Sequence, residues 1–510
     1  MPGRCTNPFF ANLAAGALLL FAPCSRASIV SEIKPQPTTA IEIAQHHIDI
    51  ARGLALSGNS DQAAIEFEKA LQSKAFAQLS ETYRHFAWFE AGNVALDLKK
   101  MAVAQGLLKL ATESSEAGSQ DWHNRLYASY ALQDFGDSAH CITMIARRWP
   151  ETLDQINAHA MYAVNRKLPD APGQTTAIFN FLESLFDAEW TDKGTQPNGF
   201  WVDLTRLLLD RGQVDKAILS AKRIDSPRMV LALRVDKRFD PVTRDRLSEF
   251  DVDRIAIASV ANAEQEVKAH ADQLRPVLVL HVRLMRSRQY ARALEVCDEV
   301  IARVAGGNGA ELYKDFDEEY IWILNSRAEA LQGLDRMEEA VAVLRSAVSL
   351  EESKESNVSQ ALNLGNLLAS LNRPDEALAA VTKLGTMSDY GRMQLEVLQH
   401  LVAIEKADAV DAKVHLDYLR EHRIDSPSTF QDALLDADLL DEAARYLIER
   451  LRKESSRTDA LLSAQDYVPV ARAPRIKTRH ARLLEILARP EIQTEVDKVG
   501  RIEHVNLDSQ

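Results

Sequence analysis

Apolar residues recur at helical spacing along nearly the whole of this chain. The pattern is plainest from Trp322 to Leu384: WILNSRAEALQGLDRMEEAVAVLRSAV, a short charged break, then ALNLGNLLASLNRPDEALAAVTKL. Each half predicts two amphipathic helices, apolar on one stripe and polar on the other. Arg327-Ala328, Leu331, Ala340, Leu344 and Ala347 in the first half stand at the same offsets as Leu364-Gly365, Leu368, Ala377, Val381 and Leu384 in the second. A repeat of this kind outranks every local signal. Its small residues have a physical reason: Ala or Gly lets the backbones of two crossing helices approach, while Leu fills the flanking grooves.

The same arrangement recurs elsewhere. Ile50-Ala51, Leu54, Gly58-Asn59, Ala63, Phe67 and Ala70-Leu71 form one unit; Trp88, Ala91-Gly92, Ala95, Ala104, Leu108 and Ala111 form a second. Further units hold Trp201, Leu204-Thr205, Leu208, Gly212, Ala217, Ala221 and Ile224, then Leu280, Leu284, Tyr290, Ala293, Cys297 and Val300, then Leu434, Ala443 and Leu447. Ala63 to Ala104 is 41 residues, Ala293 to Ala340 is 47 and Ala340 to Ala377 is 37. The wider gaps, 113 from Ala104 to Ala217, 76 from Ala217 to Ala293 and 66 from Ala377 to Ala443, leave room for degenerate units at Trp122–Trp149, Ile156–Trp190, Val242–Ala271 and Gly391–Arg420. Gly58, Gly136 and Gly212 are expected to mark turns, and Asp375-Glu376 and Asp441-Glu442 to sit in the first turns of second helices.

These units resemble the tetratricopeptide repeat (TPR), a helix-turn-helix of about 34 residues. The resemblance implies an all-α, right-handed solenoid of about eleven helix pairs. No stretch sustains the alternation of a strand, which agrees with that reading.

The organisation that follows is a signal peptide over 1–27, a linker over 28–40, an N-terminal repeat array over 41–227, an irregular or degenerate segment over 228–272, a second array over 273–457, and capping helices with a tail over 458–510. The signal peptide rests on Arg4, the fourteen-residue apolar run Phe9 to Ala22, and small residues at Ser25 and Ala27. It predicts a periplasmic or secreted product, exported as the bacterial members of the family with such leaders are. The run is too short for an integral membrane span. Cys141 and Cys297 fall inside helical patterns and read as buried free thiols.

The formal charge of −14 becomes −16 once Arg4 and Arg26 are removed, which argues against a nucleic-acid partner. The chain contains no phosphate-binding glycine loop, no paired-histidine or paired-cysteine metal spacing and no nucleophile-elbow motif. The reading is therefore a non-enzymatic chain with no cofactor and no metal. The cluster KDFDEEY at Lys314–Tyr320 reads as solvated carboxylates near a helix start rather than a calcium loop.

Binding is the remaining function. In the TPR family the first helix of each pair lines a concave groove, which by this register assigns Asn325, Ser326, Glu329 and Gln332 in one unit and Leu362, Asn363, Asn366 and Ser370 in the next. Side-chain amides can donate to and accept from the backbone of an extended peptide at once. Arg206, Arg275 and Arg286 face the groove by the same rule. Phe239, among Asp236, Lys237, Arg238 and Asp240, reads either as an inserted loop projecting towards a ligand or as a salt-bridged connector. The partner expected is a protein or extended peptide; the alternative is an accessory subunit of envelope polysaccharide export, with a cationic polymer on the acidic surface. The basic helix around Arg475, Lys477, Arg479 and Arg482 is expected to cap the last repeat.

Overall fold

The computed structural model describes residues 39–168, 173–307, 309–351, 358–468 and 473–508. The apolar run at Phe9–Ala22, its cleavage site and most of the 28–40 linker lie outside the described residues. Two compact units divide at Ile224 and Asp225.

The N-terminal unit consists of α1 (Ala40–Leu56), α2 (Ser60–Gln72), α3 (Glu81–Asp97), α4 (Met101–Glu113), α5 (Ser119–Ala131), α6 (Phe135–Arg148), α7 (Ala158–Lys167), α8 (Thr175–Asp187), α9 (Asn198–Asp210) and α10 (Val214–Lys222). In the C-terminal unit stand α11 (Pro227–Val235), α12 (Asp240–Thr243), α13 (Val252–Ala269), α14 (Arg275–Arg286), α15 (Tyr290–Ala305), α16 (Gly309–Leu312), α17 (Phe316–Gly333), α18 (Met337–Glu351) and α19 (Val358–Ser370). It continues with α20 (Pro374–Ala380), α21 (Asp389–Glu405), α22 (Ala409–Glu421), α23 (Pro427–Asp436), α24 (Leu440–Arg452), α25 (Glu454–Ser463), α26 (Pro474–Leu487) and α27 (Pro490–Val499). Among the described residues the sheet content is one parallel pair, Asp466–Tyr467 (β1) with His504–Val505 (β2).

The helices pack as antiparallel pairs in one register. A buried first-helix residue (the crossing position) is matched by a buried second-helix residue twelve places later: Ala51 and Ala63, Gly92 and Ala104, Leu126 and Ser138, Thr205 and Ala217, Ala328 and Ala340, and Gly365 and Ala377. A Cβ on Gly365 would sit 3.3 Å from the Ala377 carbonyl oxygen, so close approach is what the small residue allows. Three further pairs place a larger polar side chain at the first-helix position. His281, His400 and Gln431 are buried at the first-helix position, and their side chains reach the carbonyls of Ala293 (3.5 Å), Ala412 (2.9 Å) and Ala443 (3.0 Å). A buried polar side chain is tolerated there because the second helix offers it an acceptor.

Every one of these pairs turns in the same way. Seven residues past the crossing position the backbone enters the left-handed region, at Gly58, Lys99, Gln133, Gly212, Arg288, Asp335, Asn372, Ala407 and Asp438. The next residue's N–H returns to a carbonyl five places back, as from Asn59 to Leu54 and from Arg336 to Leu331, which closes a Schellman cap. Gly58 and Gly212 occupy the turns expected of them, whereas Gly136 lies inside α6 and its turn falls on Gln133. Most of these turns are filled by residues other than glycine, which is why composition alone misplaces one.

The C-terminal unit closes on itself. α25 packs on α11, and Gly500 forms a backbone bridge with Asp236. The Arg501 N–H donates to the Val235 carbonyl (2.9 Å), and its guanidinium holds Asp240 (2.6 and 2.9 Å). The Asp508 N–H donates to the Arg286 carbonyl at 3.0 Å, and the Tyr290 hydroxyl donates to the Asp508 carboxylate at 2.8 Å. A stack of repeats needs contacts only between neighbours; here the last segment also joins the first helices of its own unit.

Candidate interaction face

First-helix residues one and five places beyond the crossing position lie a turn apart on one face of the helix. In the C-terminal unit these are Val282 and Arg286 on α14, Glu329 and Gly333 on α17, Asn366 and Ser370 on α19, Leu401 and Glu405 on α21, and Asp432 and Asp436 on α23. The shared face results from the register, and its chemistry differs from helix to helix.

On α17 and α19 the face is partly open. Glu329 and Asn363 are exposed and Asn366 is half-buried. Asn325 and Ser326 are not available as expected: they are 3% and 4% exposed. The neighbouring first helix comes close enough for Asn363 Nδ2 to donate to Asn325 Oδ1 at 3.4 Å, so the amide pair bridges two helices, and Asn325 Nδ2 has no hydrogen-bond partner. The same device occurs in the N-terminal unit, where Asn124 donates to Asn93 (2.6 Å) and Asn165 donates to Asp203 (3.0 Å). Gln394 and Thr429 repeat it between α21 and α23 at 2.9 Å. Amides recurring on successive first helices were legible in the sequence; that they would bond to one another was not.

Two of the three arginines are also committed. Arg206 lies in the N-terminal unit and donates to Asp210 one turn further on (3.2 Å), and Arg275 pairs with Glu319 (3.6 Å). Arg286 is half-buried, its Nη1 lacks a hydrogen-bond partner, and burial beside Arg228 pulls its guanidinium down to about 10.

Phe239 does not project towards a ligand. It is 1% exposed, which corresponds to about 1.5 to 3 kcal/mol of burial free energy for a side chain of its size. The charges around it form a connector: buried Asp236 accepts from Arg238 at 2.6 to 3.1 Å, and Lys237 donates to the Asp497 carbonyl. The KDFDEEY cluster likewise has structural work. The Asp315 carboxylate accepts the N–H groups of Leu274 (2.7 Å) and Arg275 (3.0 Å) and so caps the start of α14.

On α21 and α23 the face carries an occupant. Arg475 of α26 pairs with Glu405, Arg479 with Asp432 (3.0 Å) and Asp436, and Arg482 with Asp438 (3.0 Å) and with the carbonyls of Leu435 (2.7 Å) and Asp436 (2.9 Å). Those carbonyls are the negative end of α23, where a guanidinium is favoured. The acidic neighbours raise the Arg479 pKa against the opposing effect of burial.

No group of three or more His, Cys, Asp or Glu side chains able to hold a metal occurs among the described residues. No described helix is long and apolar enough to cross a membrane. Cys141 and Cys297 are free and buried; burial raises both thiols, Cys297 to about 12, which leaves them poor nucleophiles.

Helix pairs in a shared twelve-residue register with Schellman-capped turns define an all-α helical-repeat protein. No model of a known family matches the chain, and no curated protein matches it by sequence. Three solved structures illustrate what the chain is similar to. The TPR domain of P58(IPK) is 13% identical, with 80% of this chain and 99% of that one covered and a TM-score of 0.21. Yeast Tom70 is 12% identical, with 89% and 83% covered and a TM-score of 0.24. A Rap protein complexed with competence and sporulation factor is 10% identical, with 87% and 99% covered and a TM-score of 0.28.

Proposed function

We propose that the chain is a non-catalytic scaffold that binds a protein partner, through an extended segment, across the first-helix face of α17 and α19. The observation that carries this reading is that Glu329, Asn363 and Asn366 remain open to solvent on consecutive first helices while the flanking helices on either side are covered by the chain's own C-terminal segment. Rigid helices hold these groups in place, so a partner's backbone would lose entropy and the scaffold would not. The reading includes export, supported by the apolar run Phe9 to Ala22 and its small-residue cleavage site.

The test begins with a pull-down by the mature chain from its own envelope fraction. Each main-chain hydrogen bond from an amide contributes about 0.5 to 1.5 kcal/mol. Asn363→Ala with Asn366→Ala is therefore expected to weaken the captured partner roughly tenfold with helicity unchanged. A folded double variant of undiminished affinity moves the site elsewhere. N-terminal sequencing of native material checks export, which an intact Met1 on the mature product contradicts.

A further inference from the structure

α26 differs from the other helices of its unit in how it is attached. Of its fourteen residues only Ile486 and Leu487, in the last turn, are buried. α27, directly after it, instead seats Ile492 and Val496 at 0% and 1% exposure and packs on α24. The body of α26 is held by charge together with the half-buried Ile476 and Leu483. Arg475, Arg479 and Arg482 stand at i, i+4 and i+7, which places them on one side of the helix. That side meets Glu405, Asp432, Asp436 and Asp438. Asp432 occupies on α23 the register position that Glu329 and Asn366 occupy on α17 and α19, and Glu405 and Asp436 occupy the position of Gly333 and Ser370, a turn further along the same face.

We infer that the acidic strip across α21 and α23 is a docking surface for a basic helix of a partner protein, one presenting arginines at i, i+4 and i+7, and that α26 occupies this surface until such a helix displaces it. The inference rests on reading the first-helix face as the interaction surface. Three features of the molecule favour this occupant. The strip recognises guanidinium groups at a defined spacing, since carboxylates accept from Arg479 on two sides and helix-end carbonyls accept from Arg482. Ion pairs on this partly buried face are weakened by salt more than apolar contacts are, and α27 has its own apolar seat on α24, so the two helices are held by different forces. A chain of net charge −14 also attracts basic partners over distance.

The experiment uses the full chain and a fluorescent peptide spanning residues 474–489 of this sequence. A self-occupied site lowers apparent affinity by the fraction of time it is open. The variant R475E/R479E/R482E, which turns α26 against its own strip, is therefore expected to bind the peptide at least about tenfold more tightly than the unmodified chain. Adding D432K/D436K is expected to remove that gain. Equal binding by the unmodified chain and a triple variant of unchanged helicity overturns the inference. So does a partner captured through Asn363 and Asn366 by a chain whose opened strip ignores the peptide, an outcome that leaves the proposed function standing. Should the triple variant not fold, hydrogen exchange in the unmodified chain decides: α26 amides are expected to lose protection as salt rises from about 0.05 to 0.5 M while α23 and α27 keep theirs. Exchange of α26 only together with α23 overturns it, as do dimers of the unmodified chain that high salt dissociates, which would make a second copy the occupant.

Discussion

At the scale of the residue, His415 shows how a half-buried pair makes stability depend on pH. Its Nδ1 lies 2.6 Å from Glu396, whose carboxylate is almost wholly buried, and Arg392 pairs with the same carboxylate. The hydrogen bond with Glu396 raises the His415 pKa against the effect of burial. Burial alone would raise the Glu396 carboxyl, but His415 and Arg392 outweigh it and hold it low. A raised imidazole contributes stability that is fully present below its ordinary value of about 6.5 and is lost as pH rises through the folded value. The lowered carboxyl contributes stability present above about 4.3 and lost as pH falls through its own folded value. The pair therefore stabilises most between those limits. His415→Ala is expected to destabilise the chain at pH 5.5 and to cost less at pH 9, as compared by urea unfolding at the two values. A difference that does not shrink at the higher pH removes this account. The sequence shows His415 and Glu396 nineteen places apart and cannot show that an antiparallel turn brings them together.

At the scale of the element, the repeat is a hairpin whose turn is a backbone conformation and not a residue type. Left-handed φ costs an L-residue roughly 1 to 2 kcal/mol relative to glycine, yet Ala407 adopts φ 56° at the turn between α21 and α22. The cap closed by Asp408 onto the Ala403 carbonyl, with the pairing of the helices, holds it there. Ala407→Gly is expected to stabilise the chain by about 0.5 to 1 kcal/mol, because relief of strain exceeds the added freedom of the unfolded chain. The same change at an exposed position inside a helix should destabilise by a similar amount. Equal effects at the two sites, measured by denaturant midpoints, would mean the turn carries no strain. The helix pairs around Ala340 and Ala377 were legible because small residues and leucines repeat at fixed offsets. Those around Ser138 and Ala412 were harder to read: their first-helix partners are Leu126 and His400, and a leucine or histidine at a close crossing does not look like an alanine until its contacts are known.

At the scale of the whole molecule, the C-terminal unit departs from a simple stack because its last residues bind its first helices. Gly500 lies against the Val235 carbonyl, where a Cβ would come within 2.6 Å of that oxygen, so only a bare backbone pairs there. Arg501 then clamps Asp240, 261 positions earlier in the chain. Contacts of such separation couple the two ends of the unit, which a nearest-neighbour array would leave to open independently. Arg501→Ala is expected to speed hydrogen exchange of α11, although that helix is distant in sequence and its own residues are unchanged. Unaltered protection of α11 in a folded variant would show that the apolar contacts with α25 close the unit by themselves.

The sequence by itself determined the helical hairpin and its repetition, because close helix crossings demand small residues at a fixed spacing and that demand is written locally, pair by pair. It also determined which positions of each first helix share a face, since a helix carries its own period. Whether that face is free was decided only by tertiary structure. Asn325 is spent on Asn363, Phe239 lies in the core, and Arg475, Arg479 and Arg482 lie on the carboxylates of α21 and α23. Each of these depends on a partner that the helical period does not place: the neighbouring repeat, the buried connector or the returning tail. Availability is a property of what packs on a surface, and on α21 and α23 that surface is covered by residues further along the same polypeptide, whereas on α17 and α19 part of it stays open.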